Sequence, residues 1–200
     1  AVSATGHTGG SGNGLAGTGA SFNQQGGAII ATSTSSGHNG IQVDGAFTQN
    51  NGLIIATGYY DDHGGVESNE FTQNNGTIIA LGDVGDGIYT GPFTQSGGTI
   101  TATGQNSGRG IYAWGDFTQG PDGVLRLLPG DGTGNAVYLS SGDFIASGEL
   151  QPGVDLAAGA SGVIGQIYLN GGGATINPGA QLTPILINSL ALAKGTGTGT

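Results

Sequence analysis

The chain lacks or nearly lacks several residue types, and each shortage excludes a class of function. Cysteine is absent from the 200 residues, which excludes disulfides, thiolate metal sites and a cysteine nucleophile. Lysine and arginine together number 3 against 13 acidic residues, so the net charge is −10. Nucleic acid is excluded as a partner because binding needs cations that displace counterions from phosphates. An anionic membrane surface is disfavoured for the same reason.

Long apolar runs and methionine are missing as well. No run approaches the roughly 20 apolar residues of a membrane-spanning helix, so we expect no membrane insertion. Methionine is absent even from position 1. We therefore expect a mature segment left by cleavage, or a piece of a longer protein, and not a complete translation product.

Glycine, by contrast, is abundant and recurs at a fixed period. It contributes 45 residues, whereas proline contributes 6. The pattern Phe-Thr-Gln-x-x-Gly-x-Ile-x-Ala-Thr-Gly starts at Phe47, at Phe93 and, with one exchange, at Phe71. Looser copies start at Phe22 and Phe117, and successive copies begin 22 to 25 residues apart. A period in this range predicts a solenoid, in which each repeat buries its apolar side by stacking on its neighbours.

Each repeat predicts three short strands separated by turns. The first strand is Phe-Thr-Gln, and a corner rich in glycine and asparagine follows it. The second strand is of the Thr-Ile-Ile-Ala-Thr type, and after a variable loop comes a third strand of the Gly-Ile-Tyr type. Strand alternation points the shared isoleucine and alanine of the second strand inward and leaves Ile30, Ile55 and Ile79 facing outward. The repeated glutamine of the first strand predicts a ladder of side-chain amides at the corner.

These features predict an all-β fold, namely a right-handed parallel β-helix with three strands per coil and about eight coils. We expect this β-helix to occupy residues 1–183 as a single domain. Residues 184–200 are expected to form a C-terminal strand and tail.

The repeats resemble a known group of proteins. Tandem Phe-Thr-Gln-x-x-Gly-x-Ile-x-Ala-Thr-Gly units followed by Gly-Asp-Gly-Ile-Tyr are similar to the β-helical passengers of bacterial autotransporters and of filamentous-haemagglutinin-type adhesins. The resemblance covers about residues 1–180. It implies export to the bacterial cell surface and a role in adhesion, aggregation or surface architecture.

An outward row of tyrosines is the first candidate site. The third strands align Tyr89, Tyr112, Tyr138 and Tyr168, and Trp114 lies beside this row. An aromatic strip of this kind suits a glycan or a neighbouring filament, with Trp114 as the contact anchor. The structural alternative, which we favour, is that stacked like residues stabilise the face of the sheet.

Acidic loops are the second candidate site. Asp61, Asp62, Asp83 and Asp86 lie in loops that follow second strands, and stacking would bring carboxylates to one edge. Calcium binds such oxygen ligands, which makes it the one cofactor we consider. A solvated acidic edge without metal is the favoured interpretation, because no Gly-Gly-x-Gly-x-Asp series occurs.

Catalysis is not expected. Polysaccharide lyases and hydrolases need paired carboxylates at a set separation or a cation that neutralises substrate charge. Arg109 and Arg126 stand isolated in the sequence, and the three histidines have no plausible nucleophile beside them.

Assembly is the last candidate function, and it concerns both ends of the chain. Val2 and Ala4 overlay the second strand of the other repeats, so the first coil has no Phe-Thr-Gln strand. Open strand edges invite extension, and heterologous contacts build open filaments. We predict that copies assemble head to tail into a cell-surface filament or matrix fibre, with residues 184–200 completing the neighbouring coil. The tail residues assigned to this contact are Leu190, Leu192, Thr196, Thr198 and Thr200.

The alternative function is an adhesin passenger that binds glycans or mediates cell aggregation. Both hypotheses place the chain outside the cell or on the surface of a bacterium. Its partner is another copy of itself in the first case and a surface glycan in the second.

Overall fold

The structure is a computed structural model that describes most of the chain. The described residues are 2–6, 12–34, 37–59, 64–106, 108–128, 135–152, 166–169, 174–182, 187–188 and 192–194. These ranges contain strands, turns and bends and no helix, so none of their segments is a helix able to cross a membrane. The predicted all-β class is confirmed.

The described part of the chain contains twenty strands. The first ten are β1 (Val2–Gly6), β2 (Leu15–Gly17), β3 (Phe22–Gln24), β4 (Ala28–Ser33), β5 (Ile41–Gln49), β6 (Leu53–Gly58), β7 (Val66–Gln73), β8 (Thr77–Gly82), β9 (Ile88–Thr90) and β10 (Phe93–Gly104). The others are β11 (Ile111–Ala113), β12 (Phe117–Leu128), β13 (Asn135–Leu139), β14 (Phe144–Ala146), β15 (Glu149–Pro152), β16 (Gln166–Leu169), β17 (Ala174–Ile176), β18 (Gln181–Leu182), β19 (Ile187–Asn188) and β20 (Leu192–Lys194).

Every pairing between these described strands is parallel, and each joins residues about one repeat apart. The strands therefore stack as a β-solenoid of about five turns. The predicted solenoid is confirmed. Its strands follow three ladders, which we name after their repeated residues.

The phenylalanine ladder supplies the aromatic part of the core. It joins the Phe-Thr-Gln segments, and its register pairs Phe47 with Phe71 and Phe71 with Phe93. The rings of these residues stack with centroids 4.9 and 5.0 Å apart and interplanar angles of 7° and 5°. Phe22 at one end and Phe144 at the other extend the same column. All its rings except that of Phe22 are fully buried.

The isoleucine–alanine ladder forms a second wall. It begins at β1, whose Val2 and Ala4 pair with Ile29 and Ala31, as the sequence overlay predicts. The repeated isoleucines and alanines of β6, β8 and β10 are buried. Between them Ile30 and Ile79 remain about two-fifths exposed, at 42% and 40%. The predicted inward and outward positions are both confirmed.

The tyrosine ladder forms the third wall and carries its aromatic row on the outside. Its inward residues, such as Ile88 and Ile111, are fully buried, and its register pairs Tyr89, Tyr112 and Tyr138 in successive repeats.

The repeated glutamines form the predicted amide ladder, and the structure places it inside the core. Each Nε2 donates to the Oε1 of the preceding glutamine, at 3.0 Å from Gln49 to Gln24 and at 2.9 Å from Gln73 to Gln49 and from Gln95 to Gln73. Gln119 interrupts the ladder. Its amide donates to main-chain carbonyls, and Gln95 Oε1 accepts no hydrogen bond within the described residues.

The interruption has a local cause in the corner that follows Gln119. The amide of Gln119 reaches the carbonyl of Gly123, four residues ahead, whereas that of Gln95 reaches Gly98, three residues ahead. The additional corner residue shifts the register between β10 and β12. Gln95 and Gln119 themselves stay opposite each other, but Gln119 Nε2 donates to the carbonyls of Gly123 and Glu149 and not to Gln95 Oε1.

The C-terminal strands continue the stack. Strand β19 pairs with β16, and β20 pairs with β17 through Leu192 opposite Ala174. Residues 187–188 and 192–194 thus extend the chain's own solenoid, whereas the sequence pattern predicted that residues 184–200 form a tail for the neighbouring coil.

Candidate functional site

The tyrosine row forms a continuous aromatic stack. Ring centroids lie 4.9 Å apart for Tyr89 and Tyr112 and 5.1 Å apart for Tyr112 and Tyr138, at interplanar angles of 20° and 17°. All three side chains are half-buried. Tyr168 pairs with Tyr138 through the backbone, and its side chain lies outside what the structure describes. Because neighbouring rings cover each other's faces, a ligand approaching the middle of the row meets mainly ring edges.

Arg109 lies across this row and is held by a buried acid. Its guanidinium carbon is 4.7 Å from the ring centre of Tyr112 and 4.9 Å from that of Tyr138. Its Nη1 lies 3.2 Å from Asp86 Oδ2, and its backbone N–H donates to Asp86 Oδ1 at 2.7 Å. A cation over aromatic faces is attracted by the negative charge of the ring faces, so Arg109 ties the loop to the row.

The interpretation of Arg109 as isolated is therefore wrong. The sequence does contain the signal that reveals the contact. Asp86 and Arg109 each stand directly before a Gly-Ile-Tyr strand, so they occupy the same position in successive repeats. The backbone N–H of Gly87 donates to the carbonyl of Arg109, which shows the two positions in register.

Trp114 extends the row toward the next corner, as predicted. Its ring centroid is 4.6 Å from that of Tyr89, with the planes inclined by 49°. Its backbone is fixed by a hydrogen bond from its N–H to the carbonyl of Thr90 and by one from Ser141 Oγ to its own carbonyl. A Cβ at Gly91 would collide with the backbone carbonyl of Asn69, and it would also lie 3.2 Å from the indole nitrogen. Trp114 and Tyr89 form the part of the row in which the rings are not stacked in parallel.

Toward the N-terminus, amides and a carboxylate replace the tyrosines. Gln42 and Asn39 both donate to Glu67 Oε2, at 3.0 and 2.5 Å, and Asn13 donates to Gln42 at 2.5 Å. The outer face of the tyrosine ladder is thus held by ring stacking from Tyr89 to Tyr138 and by side-chain hydrogen bonds in the repeats before Tyr89.

The acidic candidates do not form a common site in the part of the chain described here. Asp86 is buried and its carboxylate is used by Arg109. Asp83 lies three residues before Asp86 in the bend after β8, where its backbone carbonyl accepts a hydrogen bond from Asn106 Nδ2. Asp61 and Asp62 lie outside the described residues. Among those that are described, no three histidine or acidic side chains come together in a group able to hold a metal.

The residues assigned to assembly lie at the two ends. Val2 and Ala4 belong to β1, and Leu192 belongs to β20. Leu190, Thr196, Thr198 and Thr200 lie outside the described residues. Within the described chain, β1, β2 and β3 at one end and β18, β19 and β20 at the other each pair on one side.

No protein-family model, curated protein or solved structure matches this chain. The likeness to autotransporter passengers and filamentous adhesins therefore depends on the repeat pattern alone.

Proposed function

We propose that the chain is a non-enzymatic structural protein that assembles head to tail into a bacterial cell-surface filament or matrix fibre. The observation that carries the proposal is the set of strand edges at both ends of the described solenoid. Edge strands are usually protected by charge, proline or bulges. Strands β1, β2 and β3 contain none of the charged residues, and Lys194 is the one charged residue of β18, β19 and β20.

The coil geometry that we infer is a right-handed β-helix with three strands per coil and eight coils. The recurring chain order of phenylalanine, isoleucine–alanine and tyrosine strands supports three strands per coil. Eight levels are supported by the described strands of the isoleucine–alanine ladder, which are β1, β4, β6, β8, β10, β12, β15 and β18. At about 4.8 Å per level the rod is about 38 Å long.

The order of the ladders suits an end-to-end contact. The last described strand, β20, lies on the phenylalanine ladder, and the first, β1, lies on the isoleucine–alanine ladder. In the repeats a phenylalanine strand is followed by an isoleucine–alanine strand. An isoleucine–alanine strand placed beyond β20 would therefore continue the winding without omitting a strand.

Electron microscopy of the purified chain tests the proposal, and Phe22→Asp is the informative variant. Phe22 has Phe47 as its described ring neighbour and is only half-buried, so its outer side faces the proposed contact. We expect wild-type fibres with an axial repeat of about 38 Å and no fibres from Phe22→Asp.

Thr72→Asp is the matched control. It adds the same charge beside the phenylalanine column, at an outward position of β7 that lies away from both ends. It should still form fibres. Fibres from Phe22→Asp like those of the wild type would refute the end contact. If Phe22→Asp loses its β-sheet circular dichroism, Leu192→Asp applies the same test at the opposite end.

The second candidate function is glycan binding by an adhesin, and the Trp114–Tyr89 pair favours it. The two rings are inclined by 49° and both side chains are half-buried, so this end of the row is not a parallel stack like its middle. Trp114→Ala should then abolish binding of the protein to a glycan array. Phe22→Asp, which changes the far end of the solenoid, is the control and should still bind the array. Equal retention of Trp114→Ala and wild type would refute this role.

A further inference from the structure

Four successive levels of one outer face of the solenoid carry no charge, and beyond them the same face continues into Arg126 and Glu149. These four levels consist of the outward side chains of β4, β6, β8 and the second half of β10, and we call them the isoleucine face. Its central row is Ile30, Ile55, Ile79 and Thr101, and its flanking rows contain only threonine, leucine and alanine. All of these side chains are half-buried or exposed.

The absence of charge from this face contrasts with the rest of the chain. The protein has a net charge of −10. The other two ladders carry acids such as Glu67 and Glu70 among their outward residues, and the isoleucine–alanine ladder carries Arg126 and Glu149 in the levels beyond β10. Two copies that approach through an acidic face repel each other. Two copies can approach through the isoleucine face without that repulsion.

We propose that the isoleucine face is the lateral contact through which filaments of this chain pair side by side, with a second copy as its occupant. The proposal depends on the filament proposed above. Two identical ladders have the same spacing of about 4.8 Å between strands, so the side chains along the isoleucine row of one copy fit between those of the other.

The area of the face explains why pairing needs the filament. Four strands about 4.8 Å apart, each with five residues of about 3.3 Å, span about 320 Å². Two copies then bury about 640 Å² in all, which is below the roughly 1,200 Å² of a stable interface. Free chains should therefore not dimerise through this face. In a filament the face recurs in every copy, and the weak contacts act together.

The test is electron microscopy of filaments from the double variant Ile30→Glu/Ile79→Glu. Both positions are exposed, so the charges disturb the surface and not the core. Thr48→Glu/Thr94→Glu is the matched control, since it adds the same charges at outward positions of the phenylalanine ladder. We expect paired filaments from the wild type and the control, and single filaments with an unchanged axial repeat from the isoleucine variant.

The outcomes separate the two proposals. If the wild type forms no filaments, the proposed function fails and the pairing fails with it. If wild-type filaments stay single, or if the isoleucine variant pairs as often as the control, only the pairing is overturned. Should the charged variant fail to fold, Ile30→Thr/Ile79→Thr replaces it. Threonine keeps the strand propensity of the site, and loss of pairs is again the expected result.

Discussion

Replacing one ring in the middle of the phenylalanine ladder tests what stabilises the solenoid. Phe71 is fully buried, and its ring stacks on both sides, at 4.9 Å from Phe47 and 5.0 Å from Phe93. Phe71→Ala removes the ring from both stacks. The neighbouring rings do not close the gap, because parallel strands hold Phe47 and Phe93 at their own levels.

The expected loss of stability follows from burial and stacking. A buried phenylalanine replaced by alanine costs about 3–5 kcal/mol in free energy of unfolding, and each stacked pair contributes about 0.5–1.5 kcal/mol beyond its buried area. With two partners lost, we expect about 5 kcal/mol for Phe71→Ala. Phe22→Ala is the matched control, because Phe22 is half-buried and stacks on one described ring. Its expected cost is about 2 kcal/mol.

Thermal unfolding followed by circular dichroism measures the difference. For a chain of this size each kcal/mol lowers Tm by about 2–4 °C. We therefore expect Tm to fall by about 10–20 °C for Phe71→Ala and by about 4–8 °C for Phe22→Ala. Equal decreases in the two variants would show that the aromatic column is not the main source of stability, and the reasoning would be refuted.

Two further variants test local contacts by urea unfolding. Arg109→Gln removes the cation that pairs with the buried Asp86 carboxylate, so we expect the free energy of unfolding to fall by about 2 kcal/mol. Adding Asp86→Asn should recover most of this loss. If the single variant loses no more stability than the double variant, the ion pair is not the cause. Gly76→Ala should cost at least about 2 kcal/mol, because φ is 94° there and the new Cβ would lie 2.6 Å from the carbonyl oxygen of Gly52. Gly26→Ala, which meets nothing within 4 Å, should be neutral, and equal effects at the two glycines would contradict the proposed steric cause.

The repeated part of the fold could be predicted because every repeat gives the same information. Ile54, Ile78 and Ile100 occupy one position of the second strand, and a buried column of identical residues satisfies all the repeats at once. Stacking neighbours is what a solenoid repeat requires, so the pattern determines the inward and outward rows. The amide ladder follows by the same reasoning from the position of Gln73 and its equivalents.

The contacts between residues outside the repeat could not be predicted so directly. Arg109 and Asp86 are 23 residues apart and lie in loops that differ between repeats. Their contact becomes visible only when the loops are aligned on the following Gly-Ile-Tyr strands. The amide ladder likewise ends at Gln119, where the following corner has one additional residue. The sequence shows this residue but does not show how it changes the hydrogen bonds of the amide.

Residues that depart from the repeat are therefore the best guide to a specific interaction. A ladder residue such as Phe71 is explained by its neighbours above and below. Trp114, by contrast, occupies a corner where the equivalent residue of the preceding repeat is Gly91, and the indole nitrogen lies close to that glycine. Stacking of identical repeats does not require this large and partly exposed side chain. If the solenoid binds a partner other than itself, this corner is the place where the sequence has departed from the repeat to provide a contact surface.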